Sequence, residues 1–212
     1  MTTGTHELTL NIMMRWIYWI GWMAFGAAYR TLFGLRIIGA EHLVKEGAVL
    51  VASNHQSFLD PPLIGNLYQD EMYFLARKTL FRGFGAWLYP RWKAIPVDQD
   101  RPDMASLKTI IKLLQQGERV LIFPEGERTL DGELGKGQPG IGLTVTKARV
   151  PVQPVKISGA FEALPRGSGR IRFSRITVTI GPVLDFSGEE YSGKEAYQKI
   201  ADRIMQAIAE LG

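Results

Sequence analysis

Val49-Leu-Val-Ala-Ser53-Asn54-His55-Gln-Ser-Phe-Leu-Asp60-Pro61-Pro62 joins a short apolar run to a polar turn, and then to a carboxylate followed by two prolines. An apolar run this short, bounded by turn formers, reads as a buried strand. Pro61 fixes its own φ and drives Asp60 out of the α region. Asp60 is therefore expected as the N-cap of a helix that has Pro61 at its first position. Strand, tight turn and capped helix form the repeating unit of an α/β domain. The same unit can return the Asp60 carboxylate to the His55 ring. Such a pair holds one imidazole nitrogen as a donor and leaves the other as an acceptor, which a general base requires. The plain alternative is a capping Asp beside an unrelated loop histidine.

Working outward, short β-branched or apolar runs alternate with helical periods. Candidate strands are Leu35–Ile38, Ala48–Ala52, Met72–Ala76, Ala94–Val97, Arg119–Phe123, Val152–Ile157 and Ile176–Ile180. Pro102 suits the first turn of a helix whose face is Leu107, Ile110, Ile111 and Leu114, with Gly117 as its stop. Ser192 and Glu195 have capping-box spacing ahead of Tyr197, Ile200, Ile204 and Ile208. The fold class expected is α/β: a single domain, residues 35–212, with a central mixed, largely parallel sheet flanked by helices.

Residues 1–34 read differently. Trp16 to Tyr29 is WIYWIGWMAFGAAY, fourteen residues without a charge between Arg15 and Arg30. At ~1.5 Å per residue a helix of that length falls short of a ~30 Å hydrocarbon core. Its tryptophans and tyrosines favour the lipid interface. This segment is expected to be a membrane-associating helix that lies in one leaflet. A core helix of a soluble domain is the alternative.

Composition narrows the chemistry. The chain has 212 residues, no cysteine and three histidines, with Lys+Arg 25 against Asp+Glu 21. Thiolate catalysis and Cys-based metal sites are excluded, and no histidine spacing suits a metal. His6 and His42 have no chemical context, which leaves His55. Gly135 to Gly140 satisfies G-x-G-x-x-G, but it contains Pro139 and lies well past its strand, so a dinucleotide reading fails.

A second candidate site is Arg119-Val-Leu-Ile-Phe-Pro124-Glu125-Gly126-Glu127-Arg128-Thr129. Ligands bind at strand ends in α/β sheets. Gly126 permits close backbone approach, and Arg128 offers a planar fork for a phosphate or carboxylate. A solvated Glu–Arg turn is the alternative reading of this segment taken alone.

Together the two sites resemble the glycerolipid acyltransferases, whose best-known members convert lysophosphatidate to phosphatidate. The family's Asn-His-x4-Asp block is matched by Asn54, His55 and Asp60. Its Phe-Pro-Glu-Gly-x-Arg-Ser/Thr block is matched by Phe123, Pro124, Glu125, Gly126, Arg128 and Thr129, and its Val-Pro-Val-x-Pro-Val block by Val150 to Val155. The likeness extends over most of Leu35 to Ile180. It implies acyl transfer from acyl-CoA or acyl carrier protein to a lysophospholipid hydroxyl, most readily 1-acylglycerol-3-phosphate. His55 is then the general base and Asp60 its orienter. Asn54, Arg77, Lys78, Arg101, Glu125, Gly126, Arg128 and Thr129 are the substrate-binding candidates. Neither metal nor redox cofactor is implied. Another lysolipid acceptor, or a hydrolase or thioesterase, is the alternative.

Two departures qualify the resemblance. Gln99 stands where an arginine is common, and Arg101 is the residue that would supply the charge. Glu127 replaces a small hydroxyl residue. Either the acceptor differs, or Glu127 faces solvent; alternation along an extended segment favours the second. Between the blocks, Met72 to Ile95 carries Arg77, Lys78, Arg82, Arg91 and Lys93 with interleaved aromatics and no acidic residue. Beside the tryptophan-rich helix, this favours an anionic membrane over nucleic acid. The expected location is the cytoplasmic face of the cell membrane, monotopic or peripheral, with no nucleic-acid partner.

Overall fold

The computed structural model describes residues 3–98, 104–188 and 192–212, with side chains from Arg15 onward. Helix α1, Thr3–Leu32, leads into strand β1, Arg36–Ile38. There follow β2 (Val49–Ser53), α2 (Asp60–Gly65), β3 (Met72–Arg77), α3 (Phe84–Leu88) and β4 (Ala94–Val97). The second half holds α4 (Met104–Gln115), β5 (Arg119–Ile122), α5 (Pro139–Ala148), β6 (Val152–Ser158), α6 (Ala160–Ala163), β7 (Thr177–Ile180) and α7 (Lys194–Ala209). All seven expected strands occur.

They form one sheet in the order β1-β7-β6-β2-β5-β3-β4. Every pairing is parallel except β6 with β7. β2 is the central strand, with Leu50 opposite Val120 on one side and Val152 on the other. Its five residues are all buried, as expected of a strand covered on both faces. Successive side chains point to opposite faces. Val49 and Val51 therefore enter a core with Tyr29, Phe33, Leu63 and Ile157, while Leu50 and Ala52 join Ile110, Val145, Ile200 and Ile204. Each such large side chain contributes about 1.5–3 kcal/mol on leaving water. On the second face α5 and α7 pack tightly, because a Cβ at Gly142 would stand 2.0 Å from the Tyr197 carbonyl oxygen.

Helix α1 is stitched to the sheet by its aromatic residues. Tyr29 Oη donates to the Leu59 carbonyl at 2.7 Å, and Trp22 Nε1 donates to the carbonyls of Gly65 and Tyr68. Tyr18 Oη accepts the Met72 N–H. These residues recur at helical spacing on one face. Trp16, Ile20 and Met23 lie on the other and are more than half exposed. No helix among the described residues is long and apolar enough to cross a membrane.

Two helix starts differ from expectation. α7 begins after Gly193 with no side-chain cap, so Ser192 and Glu195 do not form a capping box. α2 begins at Asp60, with Leu59 at the N-cap position. The Asp60 carboxylate serves the turn before the helix. Pro102, Gln99 and Arg101 lie outside the described residues.

Candidate active site

β2 ends beside β6, and Asn54 fixes the chain as it leaves the sheet. Its Nδ2 donates to the Ile157 carbonyl at 2.9 Å, and its Oδ1 accepts the Ile157 N–H at 2.7 Å. Asn54 was expected to touch substrate; both ends of its amide are instead engaged by one backbone residue of β6. The next residue is clamped by the loop after β5. The His55 N–H donates to Glu125 Oε1 at 2.8 Å, and its carbonyl accepts the Thr129 N–H at 2.8 Å.

The turn then folds around Asp60. Oδ2 accepts the N–H groups of Gln56 (2.6 Å) and Ser57 (2.7 Å), and lies 2.8 Å from His55 Nδ1. Asp60 is completely buried. With Nδ1 donating to this oxygen, Nε2 carries the imidazole lone pair. Phe123 stacks on the ring at 3.8 Å between centroids and 10° between planes, which fixes its orientation. Two blocks distant in sequence thus fix the orientation of one imidazole.

His55 opens into a cavity of about 440 Å³ between α1, α2 and β3. Its inner wall is apolar and aromatic, with Trp22, Phe25, Met72 and Phe74. Cationic residues line it too: Arg77 at the end of β3, Arg128 and Arg166. The Arg128 guanidinium lies 3.6 Å over the Phe58 ring. Burial, then Arg166 and Arg77, lower its pKa from the usual value. Three guanidiniums thus line one cavity, and Arg128 feels the charge of the other two.

Glu127 is two-thirds exposed, as alternation suggested, yet it is not idle. Its Oε2 accepts from Arg166 Nη1 at 2.9 Å, while the same nitrogen donates to the Arg128 carbonyl. Arg166 was missed by sequence reasoning: it lies in a loop after α6, outside every motif, and only the fold brings it to Arg128.

The other candidates divide. Glu125 accepts the N–H of Gly135 through Oε2 as well as that of His55, so it holds the backbone of His55 and does not line the cavity. Burial raises its pKa against the lowering effect of those two hydrogen bonds. Thr129 Oγ1 donates to Asp131 and accepts from the Gly132 N–H, ordering the loop. Gly126 has φ +82°, a conformation that favours glycine, and its N–H donates to Phe123. Lys78 is exposed beside Arg77 but does not line the cavity. Arg101 lies outside the described residues. The backbone N–H groups of His55, Gln56, Ser57 and Gly126 all donate to protein oxygens.

The Acyltransferase family model matches residues 34–158. A 1-acyl-sn-glycerol-3-phosphate acyltransferase of Bacillus subtilis is 29% identical over 185 residues, 84% of this chain and 88% of the relative. One from Pseudomonas aeruginosa is 27% identical over 94% of this chain and 76% of its own length. The crystal structure of the 1-acyl-sn-glycerophosphate (LPA) acyltransferase PlsC from Thermotoga maritima shares the fold, with a TM-score of 0.73 at 24% identity over 97% of this chain and 83% of that one. The matched region contains both the His55–Asp60 turn and the Glu125 loop, and the chain belongs to the acyltransferase family that includes the 1-acyl-sn-glycerol-3-phosphate acyltransferases.

Proposed function

We propose that the protein transfers a fatty acyl group from a thioester, acyl-CoA or acyl carrier protein, to the free hydroxyl of 1-acylglycerol-3-phosphate, giving phosphatidic acid. The observation that carries this reading is His55, held by Asp60, opening into an apolar cavity that also holds Arg77, Arg128 and Arg166. The names of the relatives support the acceptor.

In this mechanism His55 Nε2 takes the hydroxyl proton as the oxygen attacks the thioester carbonyl. Asp60 stabilises the imidazolium through Nδ1. The tetrahedral intermediate collapses with cleavage of the carbon–sulfur bond, and the imidazolium returns the proton to the leaving thiolate. General-base assistance of this kind is worth ~10²–10⁴-fold. The backbone N–H groups of His55, Gln56, Ser57 and Gly126 are engaged, and the Arg128 guanidinium, which lines the cavity, is the group we assign to meet developing charge. The acceptor phosphate is held by Arg128 and Arg77, and the apolar wall takes an acyl chain. The step balances without metal or redox cofactor.

The exposed stripe of Trp16, Ile20 and Met23, with Phe84 and Trp87 on α3, suits a lipid interface. Residues 1–34 then act as a membrane-associating helix for the domain 35–212, at the cytoplasmic face. Purified protein mixed with lysophosphatidate and acyl-CoA should release CoA and form phosphatidate. Free fatty acid in place of phosphatidate would mark a hydrolase. A His55→Ala variant that keeps its fold and full transfer would refute the base assignment.

A further inference from the structure

Between Glu162 and Asp185 the chain has no acidic residue, and it carries Arg166, Arg170, Arg172 and Arg175. Its centre alternates cationic and apolar residues, Arg170-Ile-Arg-Phe-Ser-Arg175. Phe173 is 73% exposed and Ile171 57%. A single exposed apolar side chain is ordinary, so exposure alone decides nothing. The setting is more specific.

The segment is held in place although it has no regular secondary structure. The Arg172 N–H donates to the Ala163 carbonyl at 2.8 Å, Ser174 Oγ to the Gly159 carbonyl at 3.0 Å, and the Ile176 N–H to the Phe33 carbonyl at 3.0 Å. The Phe173 ring lies 6.2 Å from that of Phe33, beside the end of α1, where Leu32 is half exposed. Among the described residues Arg170, Arg172 and Arg175 form no ion pair. The segment lies between β6 and β7, at the same end of the sheet as His55, and Arg166 before it reaches the cavity.

We propose that residues 170–175 are a docking surface for an anionic lipid bilayer. Ile171 and Phe173 enter the interface, and Arg170, Arg172 and Arg175 meet lipid phosphates. An acidic protein would also satisfy the arginines. Phe173, however, packs on the buried Phe33 at the end of α1, where Leu32 is half exposed, and exposed apolar side chains interleaved with arginines that form no ion pair among the described residues fit a lipid sheet better than a discrete acidic patch. The inference rests on the lysolipid reading for its purpose only. Vesicle binding is measured without turnover, so either can fail alone.

The test is sedimentation of the full chain with vesicles of phosphatidylcholine containing phosphatidylglycerol. One arginine near an anionic surface is worth about fivefold in partition, so Arg170→Gln with Arg172→Gln should weaken binding about 30-fold. Ile171→Ser with Phe173→Ser should also weaken it, while turnover of a short-chain, monomeric acceptor stays at the wild-type level in both variants. Because the chain has no cysteine, Phe173→Cys can carry a single environment-sensitive dye. Its emission should shift to the blue on adding anionic vesicles. An unshifted dye, or variants that sediment like wild type, would overturn the proposal. So would normal vesicle binding with a loss of rate confined to acyl carrier protein as donor, which would mark a protein-docking surface.

Discussion

Oδ2 of Asp60 lies 2.8 Å from Nδ1 of His55 and accepts the backbone N–H groups of Gln56 and Ser57 as well. One oxygen thus orients the His55 ring, the base in the proposed mechanism, and closes the turn that carries it. Asp60→Ala should lower kcat by about 10²–10⁴-fold. It should also destabilise the fold, because two buried donors lose their acceptor at about 1–3 kcal/mol each. His55→Ala should match the loss of rate with a much smaller change in melting temperature. Parallel turnover and thermal-unfolding measurements separate the two roles; equal stability of the two variants would contradict the dual function of Asp60.

Glu125 touches the backbone of His55, not the cavity. Glu125→Gln should therefore lower kcat, by roughly tenfold or more through misplacement of the base, while leaving the acceptor KM near wild type. A phosphate-contacting Glu125 would show the reverse split.

The same residue predicts a pH effect on stability. Burial raises its folded pKa above the ordinary 4.5. The folded state therefore holds the proton more tightly than the unfolded chain. The stabilisation is fully present below 4.5 and is lost as pH rises through the folded value. Denaturant unfolding of wild type and Glu125→Gln from pH 4 to pH 7 should show this decline in wild type and its removal in the variant.

Glu127 and Arg166 set the charge beside Arg128. Because Glu127 is largely exposed, the pair itself contributes little to stability, about 0–1 kcal/mol. Its consequence should be in binding. Glu127→Gln removes a negative charge from the anion site and should lower KM for an anionic acceptor by a few fold at low salt. Arg166→Gln should raise it, and both effects should shrink as salt is added. Initial rates across acceptor concentration at two ionic strengths provide the check.

The sheet was legible because each strand is a short apolar run between turn formers, and β2, buried on both faces, is the clearest of them. The spacing of His55 and Asp60 allowed a returning carboxylate but equally a capping Asp beside an unrelated histidine, and it was the second block at Glu125 to Thr129 that weighted the pairing; the expected N-cap role fell to Leu59. The task of each motif residue was less legible. Asn54 and Glu125 look like substrate ligands by type, but their hydrogen bonds run to Ile157, His55 and Gly135, partners fixed only when β2, β5 and β6 align. Arg166 left no local signal, since its place depends on a loop following α6. The aromatic residues of α1 were read as lipid-facing, yet Tyr18, Trp22 and Tyr29 are anchors to the domain, and only the opposite stripe is open. A run apolar on all sides hides this division.

The cavity wall itself can be altered with little strain at Gly65, near the end of α2. A Cβ there would meet only Tyr18 Oη, at 3.8 Å, so a larger side chain can enter without displacing backbone. Gly65 also lines the cavity beside Trp22, whose indole N–H donates to its carbonyl. Gly65→Leu should leave that hydrogen bond in place and fill part of the roughly 440 Å³. If the apolar wall holds an acyl chain, the variant should keep its activity with short donors and lose it with long ones. Competition between a short and a long acyl-CoA, read by mass spectrometry of the product, measures the ratio. An unchanged ratio in a well-folded variant would place the chain elsewhere.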